Sequence, residues 1–285
     1  MWWILWLVGC ILLVWGALSV RELLYPERRA FSPPIPFPRY TTHVIQSRYG
    51  DPFDVWLLET AAARGRLLLF HGYFANRYQV LGIAEGLRAR GYESLLMELR
   101  GHGVRPGPYT FGVKETEDAL RACEWAVNRE GAQPLPVGLL GLSSGAAVAC
   151  QVARRLPAVR ALVADSVYPR FYPIIRMSIW RRYRLPSCPF VWVTWGGLRV
   201  VLRASVAVRD PAAIARQLSI PLLSIQGGQD QVVAPSDSEV FYQAWAGPKE
   251  RWFDPTVGHV GMVLKDPEAY CNRVAEFFDR TLSTA

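Results

Sequence analysis

The pentapeptide Gly141-Leu142-Ser143-Ser144-Gly145 joins a segment of strand character to one of helical character with no room for a loop between them. Leu135 to Leu142 is a mostly apolar run of strand length, and Ala146, Ala147, Val148 and Ala149 lead a helical pattern to about Arg155. A strand that turns directly into a helix forces the corner residue into a strained backbone conformation. The flanking glycines remove bulk where the two elements approach each other. Ser143 then stands exposed at the strand's end. The amide of Ser144, with the positive end of the helix behind it, points to where negative charge would develop on an attacked carbonyl. The bare G-x-S-x-G pattern is weak on its own; the strand-turn-helix setting gives it weight.

Around this turn the chain alternates. Thr42 to Ser47 and Phe53 to Glu59 read as strands joined at Gly50-Asp51-Pro52, an antiparallel hairpin that opens the sheet. Further strands are expected at Arg66 to Phe70, Tyr92 to Met97, Val159 to Ala164, Ile220 to Gln226 and Arg251 to Phe253. Helices are expected at Asn76 to Arg90, Val113 to Arg129 and Pro267 to about Thr281. Such alternation predicts an α/β domain with a mostly parallel sheet and helices on both faces, and 285 residues suffice for one such domain plus an appendage. Ligands of such sheets bind at the carboxyl ends of the strands. Ser143, Asp230 and the His71-Gly72 turn all follow apolar strand runs.

The appendage is at the amino terminus. Trp2 to Val20 carries no charge, and only Ser19 is clearly polar; as a helix it would span roughly 28 Å, close to the thickness of a bilayer's hydrocarbon. A transmembrane anchor over residues 1–21 is expected. A cleaved signal peptide is the alternative, with Ala17-Leu18-Ser19 as its cleavage site, but no basic residue precedes the apolar run. Leu7-Val8-Gly9-Cys10 matches a lipoprotein box, yet apolar sequence continues for about ten residues beyond Cys10, so the match reads as chance. Arg21, Arg28, Arg29 and Arg39 follow the span, which favours a domain on the cytoplasmic side. Residues 22–41 read as a proline-rich linker, a semi-rigid spacer between bilayer and domain.

Net charge is +8, from 32 Lys and Arg against 24 Asp and Glu, but the basic residues are scattered and no nucleic-acid motif accompanies them. Nucleic acid is therefore not an expected partner. Cys123, Cys150, Cys188 and Cys271 are dispersed without framework spacing, which suits a reducing compartment. No metal-ligand set and no glycine-rich phosphate loop stands out, so cofactor-free chemistry is expected. Oligomeric state is not legible.

Five motifs in order give the chain a family resemblance: Phe70-His71-Gly72-Tyr73-Phe74-Ala75-Asn76-Arg77, Leu99-Arg100-Gly101-His102-Gly103, the serine turn, Gly227-Gly228-Gln229-Asp230, and Gly258-His259. From about Thr42 to Thr281 the domain resembles an α/β-hydrolase, and within that superfamily it is similar to membrane-anchored serine hydrolases related to monoacylglycerol lipases and protein depalmitoylases. The resemblance implies an eight-stranded α/β-hydrolase fold over residues 42–285, with a helical cap inserted at about 167–210.

A serine hydroxyl needs a base within reach and an acid to orient that base. Of the four histidines, His43 opens the first strand, His71 belongs to the turn after the third, and His102 sits in the Arg-Gly-His-Gly loop. His259 remains as the base. Asp230, after a Gly-Gly turn, is the expected acid, and Asp165, at the end of the preceding strand, is its rival; the family's usual order favours Asp230. The second oxyanion donor implied by the resemblance is the backbone N–H of Tyr73, paired with that of Ser144. His71, Arg100 and His102 read as braces for their loops. Glu98 stands where the family often has aspartate. The expected activity is hydrolysis of a carboxylic ester or thioester of a lipid or acylated substrate. A peptidase using the same triad, or a non-catalytic binding protein that keeps the fold, are the alternatives. The cap segment carries Tyr168, Phe171, Tyr172, Trp180, Trp192 and Trp195 among arginines, which suits a membrane interface that admits acyl chains or, equally, a packed lid.

Overall fold

The computed structural model describes residues 2–28, 39–131, 134–203 and 210–282. Eight strands form one sheet: β1 (Thr41–Gln46), β2 (Pro52–Leu58), β3 (Gly65–Phe70), β4 (Tyr92–Met97), β5 (Val137–Leu142), β6 (Val159–Asp165), β7 (Leu222–Gly227) and β8 (Lys249–Asp254). Their order is β1-β2-β4-β3-β5-β6-β7-β8. The β1–β2 and β2–β4 pairs are antiparallel and the remaining pairs parallel. Every residue of β3, β4, β5 and β7 is buried, so residues 67–70 and Val137–Leu142 read as apolar runs, while the buried Arg66 of β3 and Glu93 of β4 pair with each other. Successive side chains enter opposite cores. Leu68 and Phe70 face one with Leu139 and Leu162, while Leu67 and Leu69 face the other with Leu140 and Val163.

The first core is closed by α3 (Val113–Asn128), α4 (Ser144–Arg155), α7 (Pro211–Ala215) and α8 (Pro235–Ala244), and the second by α2 (Tyr78–Arg88), α9 (Gly261–Lys265) and α10 (Pro267–Leu282). The expected mostly parallel sheet with helices on both faces is therefore present. Differences lie at the element ends. Strand β5 starts at Val137 instead of Leu135, since Pro136 has no N–H to give and its carbonyl already accepts from Arg66 at 2.9 Å. Helix α2 starts at Tyr78, whose N–H donates to Asn76 Oδ1 at 3.0 Å, so Asn76 stays outside the helix. Helices α7, α8 and α9 go beyond the expected set: α7 is only five residues long, and α8 and α9 each bury only one or two side chains and so lack a strong apolar stripe.

Between β6 and β7 lies a helical insertion with α5 (Phe171–Tyr183), a tight turn over Ser187–Val191 and α6 (Trp192–Leu202); residues 204–209 of the expected cap lie outside the described residues. Its two ends are pinned together at the sheet: Asp210 Oδ1 accepts the Phe171 N–H at 2.8 Å, and Ala212 N–H donates to the Pro169 carbonyl at 3.0 Å.

Helix α1 (Trp2–Leu24) is long and apolar enough to cross a membrane. Its amino-terminal two thirds are largely exposed, whereas Gly16, Ser19, Val20 and Leu24 are buried. Val20 and Leu24 join a third apolar cluster with Ala147 of α4, Phe171, Ile175 and Ile179 of α5, and Leu198 of α6. The helix thus continues into the stretch read as linker and ends against the domain instead of standing off from it. Residues 29–38 of that linker lie outside the described residues.

Candidate active site

The corner at Ser143 has the strained backbone its setting demands, with φ 54° and ψ −116°. Both glycines are required by close approach. A Cβ on Gly141 would lie 2.4 Å from Ala146 N, and one on Gly145 would lie 2.4 Å from the Phe70 carbonyl oxygen. The turn is held from β6, where the Asp165 carbonyl accepts the Ser143 N–H at 2.8 Å.

From Ser143 a hydrogen-bonded chain runs inward. Ser143 Oγ is 2.9 Å from His259 Nε2, and His259 Nδ1 is 2.8 Å from Asp230 Oδ2. With Nδ1–H donating to the carboxylate, Nε2 is left to accept the serine proton. The Asp230 side chain is fully buried and well satisfied: Val232 and Val233 N–H groups both donate to Oδ1 at 2.8 Å, and Gln226 Nε2 donates to Oδ2 at 3.2 Å. Burial pushes this carboxyl up, but the bonds from His259 and the two amides outweigh it and hold it below the usual range. It therefore stays ionised beside the imidazole.

Asp230 and His259 arrive together because their loops interlock. Strand β7 pairs with β8 so that Gly227 faces Asp254; Gly228 N–H then donates to the Asp254 carbonyl at 2.7 Å and Gln229 N–H to the Val257 carbonyl at 2.9 Å. Side chains at the Gly-Gly turn would block this contact, since a Cβ on Gly227 would sit 2.4 Å from Val257 O and one on Gly228 2.6 Å from Pro255 Cα.

Asp165 is placed differently. Its Oδ1 accepts the Ser166 hydroxyl at 2.8 Å and its Oδ2 accepts the Tyr270 hydroxyl at 3.1 Å, while its backbone holds Ser143. Ser166, at φ 55°, accepts the Val260 N–H on its own Oγ at 3.0 Å and so fixes the segment that follows His259. Asp165 and Ser166 thus hold the Ser143 turn and the His259 loop at once. The motifs do not single out Gln226 or Ser166; nothing in the local sequence signals the bond from Val260 to Ser166 across 94 residues.

The turn after β3 lies against the nucleophile: a Cβ on Gly72 would be 3.6 Å from Ser143 Cβ. Gln79 Oε1 accepts the Gly72 N–H at 2.8 Å, and Phe74 takes φ 62° as the chain reverses. Tyr73 sits between them. Ser144 opens α4, and its N–H is one of the donors that a helix's first turn leaves without an intrahelical acceptor. His71 Nδ1 donates to the Gly72 carbonyl at 2.8 Å and Nε2 accepts the Leu99 N–H at 3.0 Å, so both ring nitrogens serve the loops and neither reaches Ser143. His102 Nδ1 donates to the Arg100 carbonyl at 2.9 Å; burial and the adjacent His71 push this imidazole down to about 3, so it is neutral. Arg100 is buried and bonds Asp118, Ser47 and Asp51, tying its loop to the first hairpin. Glu98 accepts the Arg77 N–H at 3.0 Å and fills the space over Gly103, where a Cβ would be 2.2 Å from Oε2. Among the described residues no group of three His, Cys, Asp or Glu side chains is placed to hold a metal ion.

The cap meets this site at the acid loop. Arg181 of α5 donates to the Gln231 carbonyl, and Val233 is buried in the cluster shared by the cap and α1. A hydroxyl bonded to an imidazole, a buried carboxylate behind the imidazole, and a turn and a helix start converging beside the hydroxyl are the parts that acyl transfer requires.

Residues 67–273 match the alpha/beta hydrolase family. The chain is 28% identical to the uncharacterized protein Rv2307c of Mycobacterium tuberculosis over 283 residues, covering 96% of this chain and 91% of that one. It is 25% identical to the uncharacterized protein YqkD of Bacillus subtilis over 244 residues, covering 84% and 79%. Among solved structures, the Pyrococcus furiosus esterase Pf2001 superposes with a TM-score of 0.76 at 22% identity, covering 91% of this chain and 98% of that one.

Proposed function

Because the chain belongs to the alpha/beta hydrolase family, we propose that it is a membrane-anchored serine hydrolase that cleaves carboxylic esters or thioesters through an acyl-enzyme. Ser143 Oγ attacks the substrate carbonyl as His259 Nε2 takes its proton, and Asp230 orients His259 and stabilises the imidazolium. The oxyanion is received by the backbone N–H groups of Tyr73 and Ser144. His259 then gives its proton to the departing alcohol or thiol, and water activated by the same imidazole releases the acyl group and restores Ser143. The observation that carries this reading is the continuous chain from Asp230 through His259 to Ser143. The shared fold with an esterase supports the reaction class.

The apolar length of α1 supports a membrane anchor, and the arginines that follow it support a domain on the cytoplasmic side. Trp180, Trp192, Val200 and Val201 are exposed on the cap whose α6 packs beside α1. Such a surface favours a substrate with an acyl chain drawn from the bilayer.

The test is labelling of the detergent-solubilised protein with a fluorophosphonate probe, followed by mass spectrometry of the modified peptide. Modification of Ser143 that is lost in His259→Ala is expected. Absence of labelling in a folded protein, together with inertness across an ester and thioester panel, would favour the binding-protein alternative. Label on another residue would displace Ser143.

A further inference from the structure

The carbonyls of a helix's last turn have no intrahelical donor. In α1 two of them find partners in the catalytic half of the molecule. The Leu23 carbonyl accepts the Tyr73 hydroxyl at 2.8 Å, and the Leu24 carbonyl accepts the Tyr109 N–H at 2.7 Å. Tyr73 and Tyr109 belong to one aromatic group with His102 and Phe111: ring centroids are 5.4 Å apart for Tyr73–Tyr109, 5.4 Å for Tyr73–His102 and 5.0 Å for His102–Tyr109. The loop of Arg100 to Gly103 is drawn in as well, since a Cβ on Gly101 would be 2.9 Å from Tyr109 N.

The end of α1 is itself seated firmly. Gly16 and Gly197 let the helices of anchor and cap close up: a Cβ on Gly16 would be 2.7 Å from Val193 Cγ1, and one on Gly197 would be 2.9 Å from Val20 Cγ2. A buried hydrogen bond of 2.7 Å joins Ser19 Oγ to Thr194 Oγ1, and Trp15 Nε1 donates to the Phe190 carbonyl at 3.2 Å. Small residues at the contact with a hydroxyl pair between them is how helices pack inside a membrane. At the rim Glu22 pairs with Arg182 at 2.7 Å.

We propose that the carboxyl end of α1 positions the oxyanion turn: through Tyr73 Oη and the Tyr109 amide, the seat of the anchor helix on the cap sets where the Tyr73 N–H points and thereby sets kcat. The inference rests on the reading of Ser143 as nucleophile and Tyr73 N–H as oxyanion donor. Tyr73 Oη and the α1 terminus are positioning groups that never touch the substrate. An oxyanion donor works only within about 0.4 Å of its proper distance, and misplacement by about 1 Å can cost on the order of a hundredfold in rate. A bond that fixes the far end of the Tyr73 ring therefore has leverage on turnover with little on substrate affinity.

The experiment uses the full chain in detergent micelles with a p-nitrophenyl ester, and compares wild type, Tyr73→Phe, Gly197→Leu and the double variant, with Ser143→Ala as blank. The first removes only the hydroxyl; the second forces α1 off α6 without touching the site. Each single variant is expected to lower kcat by about tenfold with KM within about twofold. The affinity of a boronic-acid transition-state analogue is expected to fall in step. Because both changes release the same contact, the double variant should be no slower than the worse single one. Full activity in both variants, or losses that multiply, would overturn the proposal and leave the hydrolase reading standing. Hydrogen exchange over residues 71–76 reads the same contact without turnover. Faster exchange in both variants supports the proposal, and unchanged exchange overturns it whether or not Ser143 proves reactive. A wild type without Ser143-dependent turnover removes the hydrolase reading instead.

Discussion

Asp165 serves the site from both ends of the residue, its carbonyl on Ser143 and its carboxyl on Ser166 and Tyr270. Burial raises that carboxyl to about 6, against the lowering effect of the two hydroxyls. Since this lies above the ordinary value of 3.8, the folded chain holds the proton more tightly than the unfolded one. The stability it contributes is whole below about pH 4 and is lost as pH rises to about 6, a swing of about 3 kcal/mol. Asp165→Asn should remove that slope: the melting temperature of the variant minus that of wild type should climb between about pH 4 and pH 6 and stay level above. A difference independent of pH would show that the carboxyl does not titrate there. Legibility at this scale depended on rarity. His259 could be reached by elimination among four histidines, and Asp230 by its place after a Gly-Gly turn. Ser166 and the hydroxyl of Tyr73 act across gaps of 94 and 50 residues, and no local pattern marks such bonds.

Strand β8 leads to the His259 loop, yet it is the sheet's last strand and among the described residues pairs only with β7. None of its residues is fully buried, in contrast to every residue of β5, which carries the nucleophile. Its further support includes ion pairs of Glu250 with Arg273 and Arg280 and of Arg251 with Glu239, bonds from Lys249 Nζ to the carbonyls of Tyr242, Gln243 and Trp245, and Trp252 beside the buried Tyr270, with most of the β8 side chains half-buried. Segments with so few buried contacts open before the rest of a fold. On heating, Ser143-dependent turnover should therefore fall a few degrees below the loss of far-UV circular dichroism; coincident curves would show that β8 is as firmly held as the core. The strand pattern was legible because burial on both faces leaves an apolar run that needs no partner to be seen. Helix α8 was not, because Ser238 and Phe241 are its only buried side chains. The seat of α1 was hidden for another reason: Gly16 and Ser19 look like ordinary members of an apolar span until Thr194 and Val193 are brought beside them.

Across the whole molecule two groups stand out among the scattered basic residues. Arg66, Arg77, Arg100 and Arg105 are buried and paired with Glu93, Asp54 and Asp118, so they brace the fold. Arg21 and Arg28 follow the apolar span and carry the proposed orientation. Protease added to sealed inside-out vesicles should digest the domain, whereas protease added to right-side-out vesicles should leave it intact; the reverse pattern would overturn the cytoplasmic placement. The interlocked acid and base loops have a consequence for recombination. A loop exchanged for a homologue's must keep residues 227 and 228 bare, because a Cβ at either would meet the backbone of Val257 or Pro255 and part the hydrogen bonds between 227–230 and 254–257. Asp230 and His259 form a single cassette with the β7–β8 ladder between them, and the serine turn is inherited or transplanted with it, because the β6 end that anchors Ser143 also holds Val260 through Ser166.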